Sequence, residues 1–137
     1  MAEVIIYTDG GARGNPGPAA AGAVVVHGGT VVASVKKYLG DGCTNNFAEY
    51  QGLILGLTEA KKRGLAGKKI EVRMDSELVV RQMMGEYQIK EETLWPSYMK
   101  VHNMLVKDFP HTTFRHISRA ENAVADRLVN DAIDEAS

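Results

Sequence analysis

Cysteine is almost absent from the sequence, since Cys43 is the single cysteine among 137 residues. A lone thiol cannot form a disulfide within the chain, so a disulfide-stabilised fold is excluded and a reducing, cytoplasmic environment is expected. Cys43 also lies in a predicted turn with no histidine close to it in sequence. We therefore do not expect it to act as a nucleophile.

Long apolar runs are absent as well. No segment approaches the roughly 20 continuous apolar residues that a membrane-spanning helix needs, so no membrane association is expected. The first residues lead directly into an apolar strand, without a charged-then-apolar leader. We therefore expect that the protein is not secreted.

The sequence also has no excess of positive charge. It contains 16 Lys and Arg residues and 17 Asp and Glu residues, which gives a net charge of −1. A protein that coats nucleic acid through charge alone should be strongly basic. Any polyanion would therefore have to be held at few points or through metal ions. The length and the 45% hydrophobic content are those of an ordinary globular protein, and they predict a single domain over residues 1–137 that we expect to be a monomer.

The stretch from Val4 to Val26 is the most informative part of what is present. An apolar run ends at Asp9, a glycine- and proline-rich segment follows, and a second apolar run ends at Val26. This pattern predicts a strand, a turn and a strand, with a carboxylate at the tip of the first strand. Gly10 and Gly11 leave the backbone beside that carboxylate bare, so a bulky ligand can approach it.

The remaining pattern predicts an α/β fold with the element order βββαβα(α)βα, in which the first three strands form an antiparallel meander. Glycines 40 and 42 are expected to end the third strand, and residues 86–95 are left without an assignment. The predicted strands cover residues 4–7, 23–26, 31–39, 70–74 and 112–117, and the predicted helices cover residues 47–63, 76–84, 97–107 and 120–136.

The first predicted helix carries an unusual ridge of small residues. Glu49, Gly52, Gly56 and Ala60 follow one another at steps of three and four. Each glycine inside a helix costs about 1 kcal/mol relative to alanine. The ridge therefore predicts very close packing against another backbone, with Glu49 on the packed side.

Four carboxylates could meet in one cleft. Asp9 and Asp75 each end an apolar strand, and parallel neighbours would bring both to the same edge of the sheet, where α/β sheets bind ligands. Glu49 near a helix start and Asp126 at the edge of the last helix could complete the group. Such clustered charge requires protonation or divalent cations, and oxygen ligands suit Mg²⁺ first and Mn²⁺ second. The alternative at this point is that these are four ordinary acids among 17.

The chain carries four motifs that resemble those of type 1 ribonuclease H, especially its compact bacterial and archaeal members. They are TDGGARGNPGPAAAG, TNNFAEYQGLILGL, MDSELVV and RAENAVADRLVN, in this order, and the likeness runs from residue 3 to about residue 133. The resemblance implies a five-stranded mixed sheet with flanking helices. It also implies endonucleolytic hydrolysis of the RNA strand of RNA–DNA hybrids, which leaves 5′-phosphate and 3′-hydroxyl ends.

By the same resemblance, two Mg²⁺ ions, or Mn²⁺ as a substitute, would be held by the four acids. Asp9 would bridge both ions, Glu49 and Asp75 would complete one, and Asp126 the other. Two such ions can activate a water and stabilise the leaving oxygen of a phosphodiester.

Substrate contacts are also implied by the resemblance. The backbone at Gly10 and Gly11, together with Glu49, would contact the 2′-hydroxyls that distinguish RNA from DNA. Polar contacts in the minor groove would come from Asn15, Asn45 and Asn46, and a phosphate of the DNA strand would be bound by Thr44. Helix capping alone is the alternative role for residues 44–46, and capping and binding can coexist.

Three features depart from the family pattern. Residues 85–92, which replace a basic region that grips DNA in many relatives, are short and not basic, so weaker and more salt-tolerant hybrid binding is expected. Glu77 stands where relatives often have glutamine, and Trp95 is interpreted as a core residue. His116 has the spacing of a mobile histidine that aids product release, but it lies in a predicted strand. We therefore favour Arg119, in the following loop, for that task.

Two other functions remain open on sequence grounds. The same fold could serve a nuclease with a different strand preference, such as one that cuts DNA or double-stranded RNA. A non-catalytic nucleic-acid-binding module is the other alternative, but clustered acids facing a polyanion would give such a module no benefit.

Overall fold

The computed structural model describes residues 3–137, which form a central sheet with helices on both faces. Met1 and Ala2, which the predicted domain includes, lie outside the described residues. The strands are β1 (Val4–Ala12), β2 (Gly17–His27), β3 (Thr30–Cys43), β4 (Ile70–Met74) and β5 (Thr112–His116). The helices are α1 (Asn45–Lys62), α2 (Glu77–Met83), α3 (Trp95–Asp108) and α4 (Ala123–Ala136), with short 3-10 turns at Glu92–Leu94 and Ala120–Asn122.

The sheet has five strands in the order β3-β2-β1-β4-β5. The β1–β2 and β2–β3 pairs are antiparallel, whereas the β1–β4 and β4–β5 pairs are parallel. The expected mixed α/β fold and its element order are therefore confirmed. Because the β1–β4 and β4–β5 pairs are parallel, the carboxyl ends of β4 and β5 lie at the same edge of the sheet as the middle of β1, where its pairing with β4 ends.

The strand boundaries differ from the prediction in three places. Strand β2 begins at Gly17 and not at residue 23, so part of the predicted turn is strand. Asp9 does not stand at the tip of β1, because β1 continues to Ala12 and stays paired with β2 along its length. Only the pairing with β4 stops near Asp9, at the Thr8–Met74 pair. The third strand likewise runs through Gly40 and Gly42, whose positive φ angles of 101° and 72° bend the strand without ending it.

The glycine ridge of α1 packs directly onto β1, as predicted. A side chain on Gly52 would overlap the carbonyl oxygen of Asp9, and one on Gly56 would lie 2.7 Å from the Ile6 side chain. On the strand side, a side chain on Gly10 would overlap the carbonyl oxygen of Ala48. The backbones of α1 and β1 are therefore in direct contact at these glycines. This contact places Glu49 of α1 beside Gly10 of β1.

The main hydrophobic core lies on the face of the sheet that α1 covers. Tyr50, Leu53 and Leu57 of α1 are fully buried there, together with Phe109 at the end of α3. Helix α4 packs on the other face, where a side chain on Gly22 of β2 would overlap the Leu128 side chain, and Val129 joins a smaller apolar cluster. The site-bearing helices α1 and α4 thus hold β1 between them.

Trp95 is not a core residue, contrary to the prediction. It begins α3, is 44% exposed and contacts the edge of Tyr98, with 5.6 Å between ring centroids. Its neighbour Leu94 fills the core position instead. Among residues 3–137, no helix combines the length and the apolar character required to cross a membrane.

Candidate active site

Three acids from separate elements meet at one edge of the sheet. Asp9 comes from β1, Glu49 from the first turns of α1, and Asp75 directly follows β4. One carboxylate oxygen of each lies within 4.8 Å of those of the other two. Asp9 and Glu49 are buried, at 6% and 8% exposure. Ordinary acids scattered over a surface do not have this arrangement.

A single backbone N–H fixes two of the three. The N–H of Gly10 donates to Asp9 Oδ1 at 2.9 Å and to Glu49 Oε1 at 2.7 Å. This sharing requires α1 to lie against β1 at the distance that Gly10 and Gly52 allow. The close packing of two backbones is therefore also what assembles the acid pair.

The buried acids hold their protons more tightly than exposed ones. Burial, and secondarily the charge of Asp75, raises the pKa of Asp9 to about 7. Burial, and then the charge of Asp9, raises the pKa of Glu49 well above its usual value. A charged cluster of this kind is stable near neutral pH only with a compensating cation. Three carboxylates within 4.8 Å of one another offer the all-oxygen donor set that hard divalent cations prefer.

Asp126 lines the same cleft but lies outside the three-acid cluster. It stands in the first turn of α4, and its side chain is half-buried. Arg119 stands between it and the cluster, with Nε 3.8 Å from Asp75 Oδ2 and Nη2 4.0 Å from Asp126 Oδ1. All four predicted acids therefore face one cleft of about 380 Å³. The assignment of Asp126 to a second ion stays a prediction.

The predicted substrate residues divide into two groups. Gly10, Gly11, Asn45 and Asn46 line the cleft, whereas Asn15 and Thr44 are not among its lining residues. Thr44 caps α1 by accepting the N–H of Phe47 at 3.2 Å. Capping is therefore an observed role of Thr44, and its contact with a DNA phosphate stays a prediction.

Two asparagines connect the β1–β2 hairpin to the start of α1. Asn45 Oδ1 accepts the N–H of Ala12 at 2.9 Å, and Asn15 Oδ1 accepts the N–H of Asn45 at 3.0 Å. Both side-chain oxygens therefore hold the rim of the cleft. Their contacts with a minor groove stay a prediction.

Arg119 and His116 occupy different places. Arg119 lines the cleft beside two of the acids. His116 is the exposed last residue of β5, paired with Met74, and is not among the cleft-lining residues. This placement favours Arg119 for a task at the site, in line with the expectation from sequence.

Two residues at the site were not singled out from the sequence. Asn122 is buried and donates to the Thr8 carbonyl at 2.8 Å and to Asp75 Oδ1 at 3.4 Å. Arg13 lines the cleft and pairs with Asp134 at 2.6 Å. Both lie inside family motifs, but their contacts could not be read from the sequence, because their partners lie more than 40 residues away.

Comparisons with known proteins place this site in a family. A family model described as reverse transcriptase-like matches residues 7–132. Ribonuclease HI of Halobacterium salinarum is 40% identical, over 95% of this chain and 64% of that protein. The bifunctional protein Rv2228c of Mycobacterium tuberculosis is 45% identical over 98% of this chain, which spans only 36% of that longer protein.

Solved structures agree with these sequence matches. LC11-RNase H1, isolated from compost, has been solved in complex with an RNA/DNA hybrid. It superposes with a TM-score of 0.93 at 48% identity, over 97% of this chain and 98% of that chain. The chain therefore belongs to the ribonuclease H family, as its motifs predicted.

Proposed function

We propose that the protein is a metal-dependent endonuclease that hydrolyses the RNA strand of RNA–DNA hybrids and leaves 5′-phosphate and 3′-hydroxyl ends. The observation that carries the proposal is the cluster of Asp9, Glu49 and Asp75, whose oxygens lie within 4.8 Å of one another in a polar cleft. Family membership supports the reaction class. The hybrid complex of LC11-RNase H1 supports the substrate class.

The donor set fits Mg²⁺, with Mn²⁺ as a substitute, and we propose two ions held by Asp9, Glu49, Asp75 and Asp126. When bound, these ions would stabilise the negative charge that develops on the phosphodiester. The protein's own part is to fix the carboxylates before the ions arrive. The Gly10 N–H orients Asp9 and Glu49, and the packing of α1 on β1 buries both side chains.

Recognition of the hybrid is proposed to depend on few polar contacts. The backbone at Gly10 and Gly11 and the side chains of Asn45 and Asn46 line the cleft, where they can reach the 2′-hydroxyls and the minor groove. Residues 85–92 contain Lys90 as their one basic residue, and the nearby Arg81 is paired with both Glu77 and Glu86. We therefore propose weaker hybrid binding that changes little with salt.

The remaining proposals concern the whole molecule. We propose that residues 1–137 form one ribonuclease H domain that acts as a monomer. A cytoplasmic location is consistent with the single cysteine.

A strand-labelled cleavage assay tests the function directly. The protein is incubated with a matched RNA–DNA hybrid, an RNA duplex and a DNA duplex, each with Mg²⁺ or with EDTA. We expect internal cuts in the RNA strand of the hybrid alone, with 5′-phosphate ends and complete inhibition by EDTA. Cleavage of the DNA or RNA duplex at a comparable rate would replace the proposal with a different strand preference. No cleavage of any duplex would contradict it altogether.

A further inference from the structure

Asn122 occupies a junction between the elements that deliver the acids. Its side-chain Nδ2 donates to the Thr8 carbonyl at 2.8 Å and points to Asp75 Oδ1 at 3.4 Å. Thr8 directly precedes Asp9 on β1, Asp75 directly follows β4, and Asn122 itself directly precedes α4, which carries Asp126. Asn122, which is 1% exposed, therefore contacts β1 and the residue after β4 through its side chain and directly precedes α4.

The Asn122 side chain lies just beyond the last backbone pairing between β1 and β4. Pairing between β1 and β4 ends at Thr8 and Met74, so no ladder contact fixes Asp75 relative to Asp9. On the other side, the Ile117 N–H donates to the carbonyl of Met74, which is again one residue short of Asp75. The Asn122 amide supplies the hydrogen bonds beyond the end of the ladder.

The chemistry of the contact calls for a neutral donor. The Thr8 carbonyl oxygen and Asp75 Oδ1 are both acceptors, so only an N–H or O–H group satisfies them. A lysine or arginine there would form a buried ion pair and compete with a cation for Asp75. An amide orients the carboxylate and leaves its negative charge available, while the exposed Arg119 approaches the other oxygen, Oδ2, at 3.8 Å.

The amide is also retained at a cost. Asn122 Oδ1 is buried and has no hydrogen-bond partner among the described residues. An apolar side chain of similar size would avoid this unpaired acceptor, but it would leave the Thr8 carbonyl and Asp75 without their donor. The donor end of the amide is therefore the part that is used at this position.

We propose that Asn122 is a positioning residue of the active site, which holds the Asp75 carboxylate in place relative to Asp9 for metal binding. The proposal rests on the proposed function, because it assumes that Asp75 is a metal ligand. Groups that orient metal ligands in this way affect metal affinity or activity by about 10- to 100-fold when they are removed.

Calorimetric titration with Mn²⁺, without substrate, tests the proposal on the full chain. Asn122→Leu and the smaller Asn122→Ala both remove the donor. We expect Mn²⁺ affinity to fall about 10- to 100-fold in each. In hybrid cleavage, kcat should fall while KM for the hybrid changes less than about twofold, because Asn122 does not face the substrate.

The matched control is Gln82→Leu, which removes another buried amide that accepts a hydrogen bond from the Tyr50 hydroxyl at 2.7 Å. It should lower the melting temperature and leave Mn²⁺ affinity unchanged. Parental Mn²⁺ affinity in a folded Asn122 variant would overturn the inference but leave the proposed function intact. Failure of the parent protein itself to bind Mn²⁺ would overturn both.

If neither Asn122 variant folds, the proposal is tested in the parent protein by NMR, through the chemical shift of the Asn122 side-chain amide. A change in its chemical shift during a Mg²⁺ titration supports the role, because Mg²⁺ withdraws charge from the carboxylate that the amide contacts. An unchanged shift at saturating Mg²⁺ contradicts it.

Discussion

The inner and outer sides of the acidic cleft are built in different ways. On the inner side, Asp9 and Glu49 are at most 8% exposed and share one backbone N–H. On the outer side, the Arg119 side chain is 84% exposed and approaches Asp75 and Asp126 only at 3.8 and 4.0 Å. The difference teaches that the inner acids are held in place by the fold itself, whereas the outer side is lined by a solvent-exposed arginine. Substitutions on the two sides should therefore have effects of very different size.

The largest effect is expected from neutralising a member of the three-acid cluster of Asp9, Glu49 and Asp75. Asp9→Asn or Asp75→Asn should reduce turnover on a hybrid by on the order of 10³-fold or more, because each removes a ligand of ions that contribute several kcal/mol to transition-state stabilisation. The fold should remain intact by circular dichroism. The exposed Asp41→Asn is the matched control and should retain parental turnover. Substantial activity of Asp9→Asn or Asp75→Asn with Mg²⁺ present would contradict the proposed roles.

The close contact between α1 and β1 predicts the next effect. In an ordinary helix, replacing glycine by alanine stabilises by about 1 kcal/mol. Gly52→Ala should instead destabilise by about 1–3 kcal/mol, because the new methyl group would overlap the Asp9 carbonyl oxygen. Gly11→Ala, where the nearest atom would be 3.8 Å away, should be tolerated, as chemical denaturation can establish. A stabilised Gly52→Ala variant would show that the packing on the inner side is not as tight as described.

The raised pKa of Asp9, about 7, predicts how the metal-free protein responds to pH. Because the folded state holds this proton more tightly than the unfolded state, the contribution of Asp9 to stability is greatest at acid pH and is lost as pH rises through about 7. In EDTA, Asp9→Asn should therefore melt above the parent at about pH 8, and the gap should close towards pH 4. A gap that is constant or widens on acidification would exclude a buried, protonated Asp9.

The smallest effect is expected on the outer side. Arg119→Ala should slow multiple turnover by no more than about fivefold, in keeping with the modest energies of exposed ion pairs. His116→Ala should slow it less, because His116 lies outside the cleft. Multiple- and single-turnover rates of both variants would separate product release from hydrolysis. Equal or reversed effects would remove the preference for Arg119.

Local signals in the sequence predicted most of the fold. The Thr44 cap, the strand that ends before Asp75 and the glycine ridge of α1 all follow from neighbours within a few residues, and the structure has them where expected. The prediction failed where pairing between strands, and not local composition, decides how far a strand extends. Asp9 lies inside β1 because β2 continues to pair with it.

The same limit applies to the site. The four acids could be named from motifs, because family motifs carry the chemistry. Asn122 lies inside the last motif but was not singled out, since its role depends on hydrogen bonds to Thr8 and Asp75, which are 114 and 47 residues away in the chain. The burial of Trp95 was predicted wrongly because Leu94 and Trp95 are both apolar, and only the start of α3 determines which one faces the core.

Proton release on Mg²⁺ binding tests the central claim most directly, which is that buried acids at the inner side of the cleft hold the cation. Calorimetric titrations at about pH 6 in buffers of different ionisation enthalpy measure the number of protons released. Since the pKa of Asp9 is about 7, the parent protein should release close to one proton per molecule from Asp9 on binding Mg²⁺ at this pH. Binding without proton release, or binding of equal affinity by Asp9→Asn, would contradict the account.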